Sequence, residues 1–154
     1  MKFKEDCIFC KIANKRIPAE IIEETDGFIV IKDTNPVAPI HLLIISKSHY
    51  DSVLDAGCKG GAYKSGGGGH EEGGNKSETA LEENHKSGGT ADNGGMENCG
   101  GKELFGILGS LAGKFNVADK GFRTVINTKE DGGQTVNHLH IHFMAGRGFG
   151  WPPG

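Results

Sequence analysis

Three histidines at alternate positions, His138, His140 and His142, form the densest run of reactive side chains in this 154-residue chain. Alternate side chains of a strand share a face, so the spacing predicts three imidazoles in one row. Leu139, Ile141 and Phe143 then form the opposite, apolar face. Packing gives no reason for such a row, and histidine has no special preference for sheets. Two chemistries suit it. The three imidazoles can hold a metal ion with one open position, as in zinc hydrolases. Alternatively, one imidazole is a nucleophile whose neighbours fix its tautomer and handle protons. The preceding Gly132-Gly133-Gln134-Thr135 favours the second, because glycines let backbone N–H groups close on an anion and Thr135 adds a hydroxyl. Phosphate beside an imidazole row points to phosphoryl or nucleotidyl transfer.

A second reactive pair lies near the start. Cys7-x-x-Cys10 has the spacing of half a tetrahedral zinc site. Cys58 and Cys99 bracket His70 and His85, but those spacings match no metal pattern. They read as reduced thiols and solvated imidazoles in a loop.

Composition narrows the class. Seventeen basic against twenty acidic residues, net −3, exclude the basic footprint of a nucleic-acid binder. No apolar run is long enough for a membrane span, and MKFKEDC lacks the apolar core of a signal peptide. The expectation is a soluble, cytoplasmic chain that contacts neither nucleic acid nor membrane. Residues 57–101 hold 15 of the 26 glycines and account for the whole net charge. So polar a stretch cannot bury enough surface to offset its ordering entropy, and it reads as a flexible insertion in a single domain spanning 1–154.

The elements that must carry these residues follow from periodicity. Ile8 to Asn14 reads as a short helix with Ile8, Phe9 and Ile12 on one side and Asp6 as its cap. Ile21–Glu24 and Phe28–Ile31 flank a turn at Asp26-Gly27 and read as an antiparallel hairpin. His41–Ile45 is a buried strand ending at Ser46. Lys102 to Asn116 places Leu104, Phe105, Leu108, Leu111, Ala112 and Phe115 at helical spacing. Gly106, Gly109 and Gly113 within it suit close packing against another helix. Arg123–Asn127 and Val136–Ala145 complete the strands. The fold class is α+β: about five antiparallel strands with one main and one short helix.

The segment GGQTVNHLHIHFMAGR closely resembles the signature of the histidine triad (HIT) family, in which three histidines alternate with apolar residues. CIFCKI, IPAEII, IKDTNPVAPIHLLIISKSH, GFRTVIN and the terminal WPPG resemble its nucleotide-binding branch, the purine nucleoside phosphoramidases. The resemblance covers about residues 5–55 and 102–154, nearly everything outside the insertion.

It implies roles residue by residue. His140 would attack the α-phosphorus to give a nucleotidyl-histidine. His142 would bond the phosphate and assist proton delivery to the leaving amine. His41 matches the family's fourth histidine, and His138 would orient the group or bind metal. Gly133, Gln134 and Thr135 would surround the phosphate and leaving group. Asp33 would hold the ribose hydroxyls, Ile8, Phe9, Ile12 and Ile31 would wall the base, and Asn127 would contact the nucleotide. Zinc-carrying bacterial members imply a Cys7, Cys10, His49 and His138 site for structural zinc, and no Mg²⁺ requirement. The resemblance also implies a homodimer through the main helix and a neighbouring strand, with Trp151 reaching the partner's site. The substrate would be a purine nucleotide linked to an amine. Cleavage of dinucleoside polyphosphates, nucleotidyl transfer, and a non-catalytic nucleotide-binding scaffold are the alternatives. The sequence departs from the pattern at Asn137, where an aromatic residue is common, at Ser46, where proline is frequent, at Thr34, and in the long insertion.

Overall fold

The computed structural model describes residues 1–56 and 100–151. Five antiparallel strands form one sheet in the order β1-β2-β3-β5-β4: β1 (Ile21–Glu24), β2 (Phe28–Lys32), β3 (Ile40–Ser46), β4 (Phe122–Val125) and β5 (His140–Ala145). Two helices accompany them, α1 (Ile8–Ala13) and α2 (Gly100–Lys114), with a 3-10 turn at Val53–Asp55. The expected α+β class and strand number are therefore observed. The insertion expected at 57–101 lies outside the described residues except for Gly100 and Gly101, which open α2 two residues before the expected start. Cys58, Cys99, His70 and His85 lie outside them too.

β2 and β3 are apolar on both faces because both faces are covered. One face carries Val30, Leu42, Ile44, Ile141 and Phe143 against Ile107, Leu111 and Ala112 of α2. The other carries Ile29, Ile31, Leu43 and Ile45 against Phe9, Cys10 and Ala13 of α1. β5 is split between them. Its His142 pairs with Leu43 and its His140 with Ile45, so both imidazoles emerge on the α1 face while the apolar alternates enter the main core.

Local expectations changed in three places. Asp6 does not cap α1: Cys7 is the N-cap residue, without a side-chain cap bond. The inward face of α1 is Phe9, Cys10 and Ala13, and Ile8 is half exposed. On α2, Ile107 is buried and Phe105 is 74% exposed, because the sheet covers the side of the helix that carries Ile107, Leu111 and Ala112. Glu103 fixes the helix to the hairpin, accepting the Gly27 N–H at 2.9 Å.

The last two strands are shorter than the periodicity predicts. β4 stops at Val125, so Asn127 lies beyond it, and β5 begins at His140 and not at Val136. The His138 N–H bonds back to the Val136 carbonyl, and the Leu139 N–H is given to Tyr50. With those N–H groups turned off the ladder, only the Leu139 carbonyl still bonds β3, through the Ser46 N–H, and His138 precedes the strand.

Candidate active site and metal cluster

The histidines separate into two groups with different hydrogen-bond logic. His140 is buried on β5, and its Nδ1–H donates to the His138 carbonyl at 2.7 Å. That bond places the proton on Nδ1 and leaves Nε2 with a lone pair. Phe9 lies edge-on to the ring at 5.0 Å and restricts its rotation.

His142 is fixed from the other side. The Val37 N–H donates to His41 Nδ1 at 3.2 Å, so the His41 proton sits on Nε2. That Nε2–H donates to His142 Nδ1 at 2.9 Å, which forces the His142 proton onto its own Nε2. Asp33 Oδ2 lies 3.3 Å from His41 Nε2 and 3.8 Å from His142 Nδ1. Burial, then the neighbouring His140 and His41, hold the His142 pKa below the ordinary imidazole value, with Asp33 opposing them. The outcome is a pair: a bare nitrogen on His140 beside an N–H donor on His142, with ring centres 5.2 Å apart.

His138 belongs to a second cluster. Its Nε2–H donates to the Ser46 carbonyl at 2.7 Å, leaving Nδ1 unprotonated toward Cys7 Sγ at 3.3 Å and Cys10 Sγ at 3.6 Å. His49 repeats the arrangement. Its Nε2–H goes to Asp51 Oδ1 at 2.9 Å, and its bare Nδ1 faces Cys10 Sγ at 3.3 Å. These bonded partners are those expected behind metal-bound histidines. The four ligand atoms converge from α1, the segment after β3 and the turn before β5. Separations of 3.1–3.6 Å agree with the edges of a tetrahedron around zinc, whose bonds are about 2.3 Å to sulfur and about 2.0 Å to nitrogen. The donor set therefore fits zinc. Burial raises the Cys10 thiol pKa, against the lowering effect of the Lys4 N–H; a bound cation would reverse that balance.

The other expected residues are placed as follows. Phe9 and Ile31 are buried, while Ile8 and Ile12 are partly open beside them. Asn127 is half-buried beyond β4, and Trp151 is 87% exposed. Thr135 lines a cavity of about 250 Å³ with Lys4, Asp6 and Asn137. The paired glycines have a local explanation: a side chain on Gly132 would meet the Thr128 carbonyl, and Gly133 has φ +69°. The Gly133 and Gln134 N–H groups are given to Glu130 and Lys129 carbonyls, so neither is directed at an anion. The Gln134 amide is likewise bonded within the protein, to Lys129, Val136 and Asp51. Residue types alone did not reveal Val37 or Ser46, which act through backbone groups. Asp51 carried a faint signal, a carboxylate two residues after His49.

Comparison with known proteins agrees with this geometry. Residues 95–149 match the profile described as "HIT domain", and residues 6–58 match "Scavenger mRNA decapping enzyme C-term binding". The chain is 35% identical to protein HitA of Neisseria gonorrhoeae, over 91% of this chain and 95% of that one. It is 31% identical to a 14 kDa zinc-binding protein of Brassica juncea, over 97% of this chain and all of that one. A solved HIT family hydrolase from Legionella pneumophila superposes with TM-score 0.67 at 28% identity, covering 97% of this chain and 100% of that one. The signature strand, the five-stranded sheet and relatives matched along nearly their whole length agree: the chain belongs to the histidine triad (HIT) family.

Proposed function

We propose that this protein is a nucleotide-binding hydrolase that cleaves the P–N bond of purine nucleoside 5′-phosphoramidates through a nucleotidyl-histidine on His140. The observation that carries the reading is the division of protons. His140 has a bare Nε2 because its Nδ1–H is held by the His138 carbonyl, and His142 keeps an Nε2–H because His41 supplies its Nδ1 bond. A nucleophile and a donor side by side suit attack on a phosphoryl group whose leaving nitrogen departs as an amine.

The steps balance without further reagents. A solvent proton passes by way of His142 to the leaving nitrogen, and His140 Nε2 forms a bond to phosphorus as the P–N bond breaks and the neutral amine departs. Water then adds to phosphorus and Nε2 departs; one water proton stays on the nucleotide product and the other goes to solvent. His142 Nε2–H donates to the reacting phosphoryl group in both steps, and with Thr135 replaces the charge stabilisation that Mg²⁺ would provide. Asp33 is assigned to the ribose hydroxyls, Ile8, Phe9, Ile12 and Ile31 to the base, and Asn127 to the nucleotide.

Cys7, Cys10, His49 and His138 would hold a structural zinc ion, a reading supported by the donor geometry and by the zinc-binding relative. A bound ion would cross-link three segments of the chain. A homodimer is part of the same reading: Phe105 is exposed on α2, and the positions beside Gly106, Gly109 and Gly113 are open.

The deciding experiment is AMP release from adenosine 5′-phosphoramidate by the parent chain and by His140→Ala. Turnover by the parent alone, with AMP binding retained in the variant, is expected. Turnover by His140→Ala refutes the nucleophile assignment. No turnover by a folded parent that still binds AMP refutes the hydrolase reading.

A further inference from the structure

Gln134 would be expected to face phosphate, yet its amide is spent on three backbone partners. Its Oε1 accepts the Lys129 N–H at 2.9 Å. Its Nε2 donates to the Val136 carbonyl at 2.9 Å and to the Asp51 carbonyl at 2.6 Å. The first two bonds close the 129–136 turn on itself. The third leaves the turn and reaches a residue whose carboxylate holds His49 Nε2–H.

These bonds, with the metal ligands, form a closed circuit. From the His138 ligand the chain runs back two residues to Val136, whose carbonyl is held by Gln134. Gln134 grips the Asp51 backbone, and two residues before Asp51 stands the His49 ligand. The adjoining segment is tied in parallel by the Leu139 N–H bond to the Tyr50 carbonyl. A cation shared by His49 and His138 completes the ring. Without it, His49 and His138 share no ligand, although their Nδ1 atoms stand 3.1 Å apart. Closing a ring at one point lowers the entropic cost of ordering the rest, so cation and turn must stabilise each other.

We propose that Gln134 is a positioning residue through which the Cys7/Cys10/His49/His138 cation orders the 129–136 turn, making cation and nucleotide binding mutually cooperative. The nucleotide half of the statement rests on the function proposed above, since the turn delivers Thr135 to the substrate. The cation–turn half stands on the bonds alone. Coupling of this kind is reciprocal: the factor by which zinc tightens AMP binding is the factor by which AMP tightens zinc binding.

The test measures amide hydrogen exchange across residues 129–136, with and without zinc, in the full chain and in Gln134→Glu and Gln134→Ala. Gln134→Glu keeps the acceptor for Lys129 but loses both donors. Zinc is expected to slow exchange of the turn about tenfold or more in the parent. In both variants that effect should vanish, although all four metal ligands remain and zinc binds only about tenfold more weakly. Equal protection by zinc in the parent and both variants overturns the proposal. So does zinc that binds the parent without slowing the turn. AMP titrations run in parallel separate the two halves. Tighter AMP binding with zinc in the parent, lost in Gln134→Glu, supports the cooperative statement. AMP affinity indifferent to zinc overturns that statement, and zinc-loaded parent that binds no AMP refutes the nucleotide reading, leaving the exchange data to decide the cation–turn link.

Discussion

His49 and His138 face each other through unprotonated Nδ1 atoms 3.1 Å apart, because each has given its Nε2–H to an oxygen, on Asp51 and on Ser46 respectively. With two cysteine sulfurs alongside, the four atoms form a donor set suited to a cation. Cys10→Ser is therefore expected to lose one zinc per chain relative to the parent, counted by elemental analysis after dialysis. Because metal-binding energy is folding energy in such sites, its melting temperature should fall by roughly 10 °C, the size of a loss of about 2 kcal/mol in a domain of this core length. Unchanged zinc content in Cys10→Ser would show that this cluster is not the site.

The pH dependence follows from the same burial. In the zinc-free protein, burial, partly offset by the Ser46 carbonyl, depresses the His138 pKa from 6.5 to about 4. His142 is depressed as well, chiefly by burial. An unfolded chain takes up these protons near the ordinary imidazole value, whereas the folded chain refuses them until the pH is much lower. Between those limits the unfolded state binds more protons, so stability is complete above about pH 6.5 and is lost as the pH falls toward 4. The His138 contribution is up to about 3 kcal/mol. Urea melts of zinc-free protein at pH 7.5, 6, 5 and 4.5 should show the midpoint falling steadily. A midpoint that is flat or rises on acidification contradicts the proton assignment of His138.

Much of this was legible in the residue order, for physical reasons that differ from element to element. Strand alternation finds His140 and His142 because both lie in β5, paired to β3 from His140 and to β4 as well from His142, and that pairing enforces the period. The alternation extends the strand to His138, which instead precedes it. Alternation ignores the local bond between the His138 N–H and Val136 that ends the strand. Phe105 and Ile107 changed places because a helix's apolar stripe shows which residues can be buried, while the width of the opposing sheet decides which are. The family resemblance places Gln134 at the phosphate and leaving group. That its amide is consumed by the turn and by Asp51, 83 positions away in sequence, is a tertiary fact that no local pattern contains.

The paired glycines allow a sharper separation of packing from chemistry. A Cβ on Gly132 would collide with the Thr128 carbonyl oxygen and stand 2.7 Å from the Thr128 nitrogen, backbone atoms that cannot swing away. Gly132→Ala should therefore destabilise the chain by about 2 kcal/mol or more, lowering the thermal midpoint by about 10 °C. Gly133→Ala meets no atom within 4 Å but must hold φ +69°, at a cost of about 1 kcal/mol. Differential scanning calorimetry of the two variants should rank them in that order. The reverse order would mean that backbone conformation, and not the approach to Thr128, demands the first glycine.

The outer face of α2 gives the last prediction. Phe105 is 74% exposed, and Cβ atoms placed on Gly106, Gly109 or Gly113 would meet nothing within 4 Å. A helix that carries three glycines in its interior, each costing up to about 1 kcal/mol against alanine, and leaves an aromatic ring in water needs a compensating surface. A second copy of the chain packed helix to helix would supply it, since small residues let backbones approach and the ring would be buried. Light scattering after size-exclusion chromatography should then give a dimer for the parent and a monomer for Phe105→Asp. Circular dichroism of the two should coincide, because Phe105 contributes little to the fold of its own chain. A parent that runs as a monomer at micromolar concentration contradicts the dimer. A Phe105→Asp variant that remains dimeric would move the interface off this face of α2.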